Sequence, residues 1–307
     1  MDILEVIRTD VRALPTGDHK PGLEAVLQHI ETAYKHLARG QSQADETAFT
    51  DAIYRTNQAF EGSAKEAYRV LAEKNPDKIR PFDIEQYLAE HGIFRERVLT
   101  QFKNYRTAWR NPSTHDHTIT FDEAEAFLAI VSISAFTKLL VDEIAEKLSF
   151  LAAKDEVTIK EKEIDANLSD PTINRVVDAL KKFARHYSEK KSIPIESEAQ
   201  LMGALSGFFS AVLPDLEVTT GRILRTDKSY YTDIIASKGS EELIIELKRN
   251  YNHSSLNAGL QQLVNYMRAA NTNKSVLFFY SGKSNDYEVD TYDELVPDQT
   301  IMVVRPF

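Results

Sequence analysis

The sequence predicts an α+β protein of two domains, an all-helical N-terminal bundle followed by a C-terminal α/β mixed sheet flanked by helices. Three observations carry that prediction. Apolar residues recur at i, i+3 and i+4 through residues 1–150 with no strand signal between them. The pattern changes to period two after Pro214. The strands then arrive as three in succession, a helix, and another strand, which calls for a meander joined to a parallel strand by a helical crossover.

The helices follow in order. LEAVLQHIETAYKHLA places Leu23, Val26, Leu27, Ile30, Tyr34 and Leu37 on one stripe, and residues 46–74 continue the same period. PFDIEQYLAEHG has a start signal at Asp83 and a stop at Gly92. FRERVLTQFKNYRTAW is a further helix, expected to end at Asn111-Pro112 because the residue before a proline disfavours the helical conformation. A long apolar helix follows, with Thr120 and Glu123 as its capping box. Residues 152–170 are charged and poor in large apolar side chains, although VTIKEKEI reads as a short strand. The domains are therefore set at 1–152 and 171–307, with 153–170 as linker. In the second domain TINRVVDALKKFARHY and SEAQLMGALSGFFSAVL are helices. LEVTTGRILRT, YYTDIIAS and ELIIELK are strands, SSLNAGLQQLVNYMRAA is a helix, and SVLFFYSG and TIMVVRPF are strands.

Composition narrows the function classes. Hydrophobic residues make up 42% and charged residues 27%, as in a globular protein. No apolar run is expected to span a bilayer, and the N-terminus lacks the pattern of a signal peptide. The absence of cysteine excludes disulfides, thiolate zinc sites and cysteine nucleophiles, and fits a reducing, cytoplasmic setting. The net charge is −10 and both halves are acidic, so neither is a basic nucleic-acid module by bulk charge.

The densest chemistry lies in YYTDIIASKGSEELIIELKRN. Asp233 and Glu246 fall on neighbouring strands joined by a Lys-Gly-Ser turn, each among Ile and Leu. Carboxylates are costly in such surroundings unless they are paired or hold a cation. Lys248 shares the strand face of Glu246, because side chains alternate. Two acids and a lysine can hold Mg²⁺ and orient a water for phosphodiester hydrolysis. Taken alone, the pattern reads more simply as a solvated strand end.

The segment from about Ile195 to Gly282 resembles the PD-(D/E)XK nuclease core, whose order is helix, β-meander, helix, strand. Asp233 resembles its leading acid and Glu246-Leu247-Lys248 its E-x-K. Glu198 in SEAQL resembles its helical glutamate, and Gln262 in a Gln-Leu-x-x-Tyr pattern its helical glutamine, with Gln261 the weaker candidate. Thr232 stands where the family name has proline. The resemblance implies that Asp233, Glu246 and the Leu247 carbonyl bind Mg²⁺, with Mn²⁺ as a substitute. It also implies that Lys248 serves the water and that Glu198 and Gln262 support the site. Lys228, Arg249, Asn250 and His253 are further candidates for phosphate contacts, and loop polarity explains them equally.

A second cluster lies in the helical half, where Arg110-Asn111-Pro112-Ser113-Thr114-His115 precedes the long helix. An arginine and a histidine converging on a phosphate can cleave RNA without metal, using the 2′-OH as nucleophile. Residues 20–150 resemble the HEPN superfamily, with Glu61 as a further polar residue. That resemblance implies a helical bundle that forms a homodimer, and in some members a metal-independent RNase. An arginine closing a helix C-terminus is the ordinary reading of the same residues. The combined expectation is a Mg²⁺-dependent DNA endonuclease, with a partner or activator protein and no membrane. The family resemblance implies a role in prokaryotic anti-phage defence. The alternatives are an RNase using Arg110 and His115, or a catalytically silent assembly component.

Overall fold

The computed structural model describes residues 2–115, 118–157, 171–190, 195–226, 228–293 and 298–307, without the side chains of residues 115, 189 and 190. It has the expected α+β architecture of a helical bundle followed by a mixed sheet between helices. The chain divides into two compact units, Met1–Lys147 and Leu148–Phe307.

The first unit contains α1 (Ile3–Ala13), α2 (His19–Gln43), α3 (Thr47–Val70), α4 (Pro81–Glu90), α5 (Glu96–Tyr105) and α6 (Asn111–His115), with the first part of α7 (Glu123–Glu156). Phe60, Phe102, Tyr105 and Phe136 meet at its centre, with ring centroids 4.9–5.8 Å apart for the pairs in contact. The helix starts differ from the expected ones. Pro81 opens α4 two residues before Asp83, and Asp83 instead pairs with Arg80 at 2.7 Å. Asp122, not Thr120, caps α7. Its Oδ1 accepts the Glu125 N–H at 2.8 Å, while Glu125 Oε2 accepts the Asp122 N–H at 2.9 Å.

Asn111-Pro112 does not stop its helix. Residues Arg106–Arg110 form a π-turn in which the Asn111 N–H reaches the Arg106 carbonyl, and the chain continues helically into α6. The wider turn accommodates the proline ring. Ser113 and Thr114 hydroxyls donate to the Trp109 and Arg110 carbonyls at 2.6 and 2.7 Å. A second correction concerns α7, which by length and composition is apolar enough to cross a membrane. Half of its most apolar window is buried inside the protein. Residues 153–156 form the end of α7, whereas 158–170, with most of the proposed linker and strand, lie outside the described residues.

The second unit is built on a six-stranded sheet of order β1-β4-β5-β6-β8-β7. Its strands are β1 (Glu217–Thr220), β4 (Ile234–Lys238), β5 (Glu241–Lys248), β6 (Lys274–Phe279), β7 (Tyr287–Tyr292) and β8 (Thr300–Pro306). β2 (Ile223–Arg225) and β3 (Ser229–Tyr231) form a separate hairpin between β1 and β4. Pairing is antiparallel for β1–β4–β5 and parallel for β5–β6–β8. The helix α10 (His253–Ala270) makes the crossover between β5 and β6. Alternation along β5 sends Leu243, Ile245 and Leu247 to one core with the end of α7, α8 (Thr172–Lys190) and α9 (Glu198–Val212). It sends Ile244 to the other core, against α10 and the hairpin. Glu246 and Lys248 share the parity of Ile244, so the strand carries both charged groups to the α10 face.

Candidate active site at the β4–β5 hairpin

Hairpin register brings the two acids together. Ile234 pairs with Ile245, so one step further along the ladder Asp233 stands opposite Glu246. Asp233 Oδ2 accepts the Leu247 N–H at 2.7 Å, and the Asp233 carbonyl accepts the Gly221 N–H at 2.9 Å. Glu246 is 2% exposed. Its Oε1 lies 2.5 Å from Lys248 Nζ, and its buried Oε2 has no hydrogen-bond partner in the protein.

Burial raises the pKa of both carboxyls. For Asp233 burial is the largest cause, followed by the Glu246 charge; the Leu247 N–H opposes the shift, and the Glu198 charge adds to it. For Glu246 burial again leads and the Lys248 hydrogen bond opposes it. A carboxyl pair whose ionisation burial opposes, with an orphaned oxygen, is the environment that a divalent cation relieves. Among the described residues, no group of three or more His, Asp or Glu side chains is placed to hold a metal. Two carboxylates are nevertheless within the set that Mg²⁺ uses, since that ion keeps several waters. The donor chemistry of Asp233 and Glu246 therefore fits the ion.

Lys248 is held on two sides. Its ammonium donates to Glu246 Oε1 and, at 3.2 Å, to Gln262 Oε1 on α10. The Gln262 amide donates to the Tyr266 hydroxyl at 2.5 Å, and that hydroxyl donates to the Tyr231 carbonyl at 2.7 Å. Burial, with smaller contributions from the Glu246 and Asp233 charges, pushes Tyr266 up to about 12, so it remains a donor. The geometry thus selects Gln262, while Gln261 is exposed. Tyr266 is the residue that sequence reasoning left without a role, although it closes the Gln-Leu-x-x-Tyr pattern. Glu198 is exposed in the first turn of α9, whose Ser197–Gln200 capping box fixes the helix start. It reaches the carboxylate pair through its charge. Arg249 donates to the Ile195 carbonyl at 2.9 Å and to the Glu196 carbonyl, tying the end of β5 to the segment that leads into α9.

The arginine of the helical unit has a different setting. Arg110 is 9% exposed, with Nε 3.3 Å from Glu85 Oε1 and Nη2 3.9 Å from Glu61 Oε1. Glu85 is 2% exposed, and burial raises its pKa against the opposing charges of Arg110 and Arg106. Asn57 donates to Ser113 at 2.6 Å, and the Tyr105 hydroxyl donates to Thr56 at 2.7 Å. Arg110 is thus turned toward carboxylates within the bundle. Sequence reasoning missed Glu85, because it lies on α4 and meets Arg110 only through helix packing. The His115 side chain and His117 lie outside the described residues.

Comparison with protein-family models, curated proteins and solved structures gives no match.

Proposed function

We propose that the C-terminal unit is a Mg²⁺-dependent nuclease that hydrolyses phosphodiester bonds, with DNA as the favoured substrate and Mn²⁺ as a substitute cation. The observation that carries this reading is the pairing of half-buried Asp233 with buried Glu246, with one unpartnered Glu246 oxygen and a lysine held between Glu246 and Gln262. The mixed sheet between helices is compatible with a nuclease architecture, and the order of its elements supports the PD-(D/E)XK likeness.

Asp233 and Glu246 would hold the cation, with the Leu247 carbonyl beside them. When bound, the ion supplies Lewis-acid activation of the scissile phosphate and of the attacking water. The Leu247 N–H fixes the Asp233 carboxylate through Oδ2, which leaves Oδ1 for binding. An ammonium has three donors, and Lys248 spends two on Glu246 and Gln262. The third orients the water or a phosphate oxygen, and charge there stabilises the transition state. Gln262, fixed by Tyr266, sets the direction of that donor.

The helical unit is read here as a HEPN-like pairing module. Ala124, Phe127, Leu128 and Val131 form an exposed apolar stripe along α7, which supports a homodimer through this unit. RNA cleavage by Arg110 and His115 is the second reading, and the Glu85 clamp on Arg110 favours a structural role for that arginine. The anti-phage setting, and an activator or partner protein, rest on the family likeness and on the acidic charge.

One assay separates these readings, using wild type, Asp233→Ala and His115→Ala on DNA and RNA with Mg²⁺ or EDTA. Mg²⁺-dependent cutting lost in Asp233→Ala is the expected result. EDTA-resistant RNA cleavage lost in His115→Ala would replace it with the second reading.

A further inference from the structure

We infer that the β2–β3 hairpin is a stacking platform for an unpaired nucleotide, so that the strand reaching Asp233 and Glu246 belongs to a single-stranded nucleic acid. The inference rests on the nuclease reading and names its substrate class.

The hairpin lies immediately before Asp233 and forms its own two-stranded sheet. It is fastened to the catalytic network rather than hung beside it. The Tyr231 carbonyl takes the Tyr266 hydroxyl at 2.7 Å, and the Tyr230 ring meets Tyr266 edge-on at 5.7 Å. Leu224 is buried in the α10 core, and the Arg222 carbonyl accepts the Thr232 N–H at 3.0 Å. Alternation that turns Tyr230 inward turns the Tyr231 ring outward, where it is 40% exposed. The large apolar side chains exposed among the described residues of this unit are Tyr231, Tyr251 and Phe307. Two of these three bracket the site in sequence. Tyr231 is two residues before Asp233, and Tyr251 is three past Lys248. Tyr251 is braced by the Arg305 guanidinium 5.0 Å from its ring and by Phe279 at 5.1 Å, yet remains 41% exposed.

Lys228 is exposed in the turn of the same hairpin, which pairs an aromatic face with a cation suited to a flanking phosphate. Such interleaving serves unpaired strands, because each base must offer its π-face to the ring. A duplex hides those faces and relies on counterion release, which a chain of net charge −10 supplies poorly. Stacking is the contribution that remains when bulk electrostatics do not help. Stacking is indifferent to the sugar, so DNA and RNA single strands share the required chemistry.

The test uses the full chain carrying Asp233→Asn, to silence cleavage, and fluorescence anisotropy with labelled oligonucleotides of about ten nucleotides. Single-stranded DNA, single-stranded RNA and the matching DNA duplex are compared at about 0.15 M salt. The expected result is a single strand of either sugar bound at least about tenfold more tightly than the duplex. Adding Tyr231→Ala removes about tenfold of that affinity. Adding Tyr231→Phe keeps it, because the ring and the backbone carbonyl that holds Tyr266 are both retained. Equal or tighter duplex binding, or a Tyr231→Ala change without effect, overturns the platform while leaving Mg²⁺-dependent cleavage by the wild type intact. Absence of both binding and cleavage for every nucleic acid overturns the nuclease reading itself.

Discussion

Asp233 and Glu246 face each other one step beyond the last paired residues of a hairpin, where burial raises the cost of ionising both and the Glu246 charge adds to that of Asp233. That cost is carried by the fold when no cation is bound. Asp233→Asn removes the carboxyl whose ionisation burial and Glu246 oppose, and keeps an oxygen to accept the Leu247 N–H. In EDTA it should therefore raise the stability of this unit by about 1–2 kcal/mol, a melting shift of a few degrees. It should also abolish the stabilisation that Mg²⁺ gives the wild type, which scanning calorimetry with and without the ion measures. A variant less stable than wild type in EDTA would contradict the account. Glu143 offers a pH counterpart in the helical unit. Burial lifts its pKa to about 7, against the Arg95 charge and the Arg95 N–H that donates to it at 3.1 Å, while Glu146 and Asp142 lift it further. A carboxyl whose folded pKa is raised contributes stability that is complete below the ordinary carboxylate range and is lost as pH rises through 7. The wild-type melting temperature should thus fall between pH 5 and pH 8, and Glu143→Gln, which keeps the acceptor oxygen, should flatten that slope. The difference at high pH is on the order of 2–3 kcal/mol.

Helix α9 meets the end of α7 at a point where only glycine fits. A Cβ on Gly207 would lie 2.3 Å from the Phe150 carbonyl oxygen and 3.0 Å from its carbon, both backbone atoms that no rotamer can move. Gly207→Ala raises helix propensity, a gain of about 1 kcal/mol in a free helix. Here the clash should win and cost about 1–3 kcal/mol or more by thermal or urea unfolding. At this scale the sequence was readable where a local pattern sets the geometry. Period-two alternation and a short turn were enough to put Asp233 opposite Glu246 and Lys248 on the same face. Gln262 was legible only through the resemblance to the nuclease core, and it lies 3.2 Å from Lys248. It was unreadable where contacts join distant segments, as with Arg249 reaching Ile195 and Glu196, or Glu85 reaching Arg110. Strand β7 escaped notice because it is a half-exposed edge strand without clean alternation. The Asn111-Pro112 stop misled because a π-turn leaves room for the ring.

For the whole molecule the governing quantity is charge. The chain carries −10, and it holds two carboxyls of raised pKa, Asp233 and Glu246, at the site where the proposed polyanionic substrate would have to arrive. Each phosphate neutralised by a lysine or arginine releases counterions and steepens the fall of affinity with salt, by nearly one log unit per log unit of salt for each contact on duplex DNA. A protein that captured duplex DNA by itself through six or more such contacts would lose roughly 10³-fold between about 50 and 200 mM salt. This chain lacks the bulk charge for that many contacts, and several of its cations near the site are already committed. Arg222 pairs with Glu242, Lys248 with Glu246, and Arg249 with two carbonyls. The isolated chain should bind duplex DNA weakly, with a log–log salt slope of about −1 to −3. Titrations by anisotropy at a series of salt concentrations give that slope directly. A slope steeper than about −6 would reveal a cationic surface that the sequence does not supply, and would remove the need for a partner or activator to deliver the substrate.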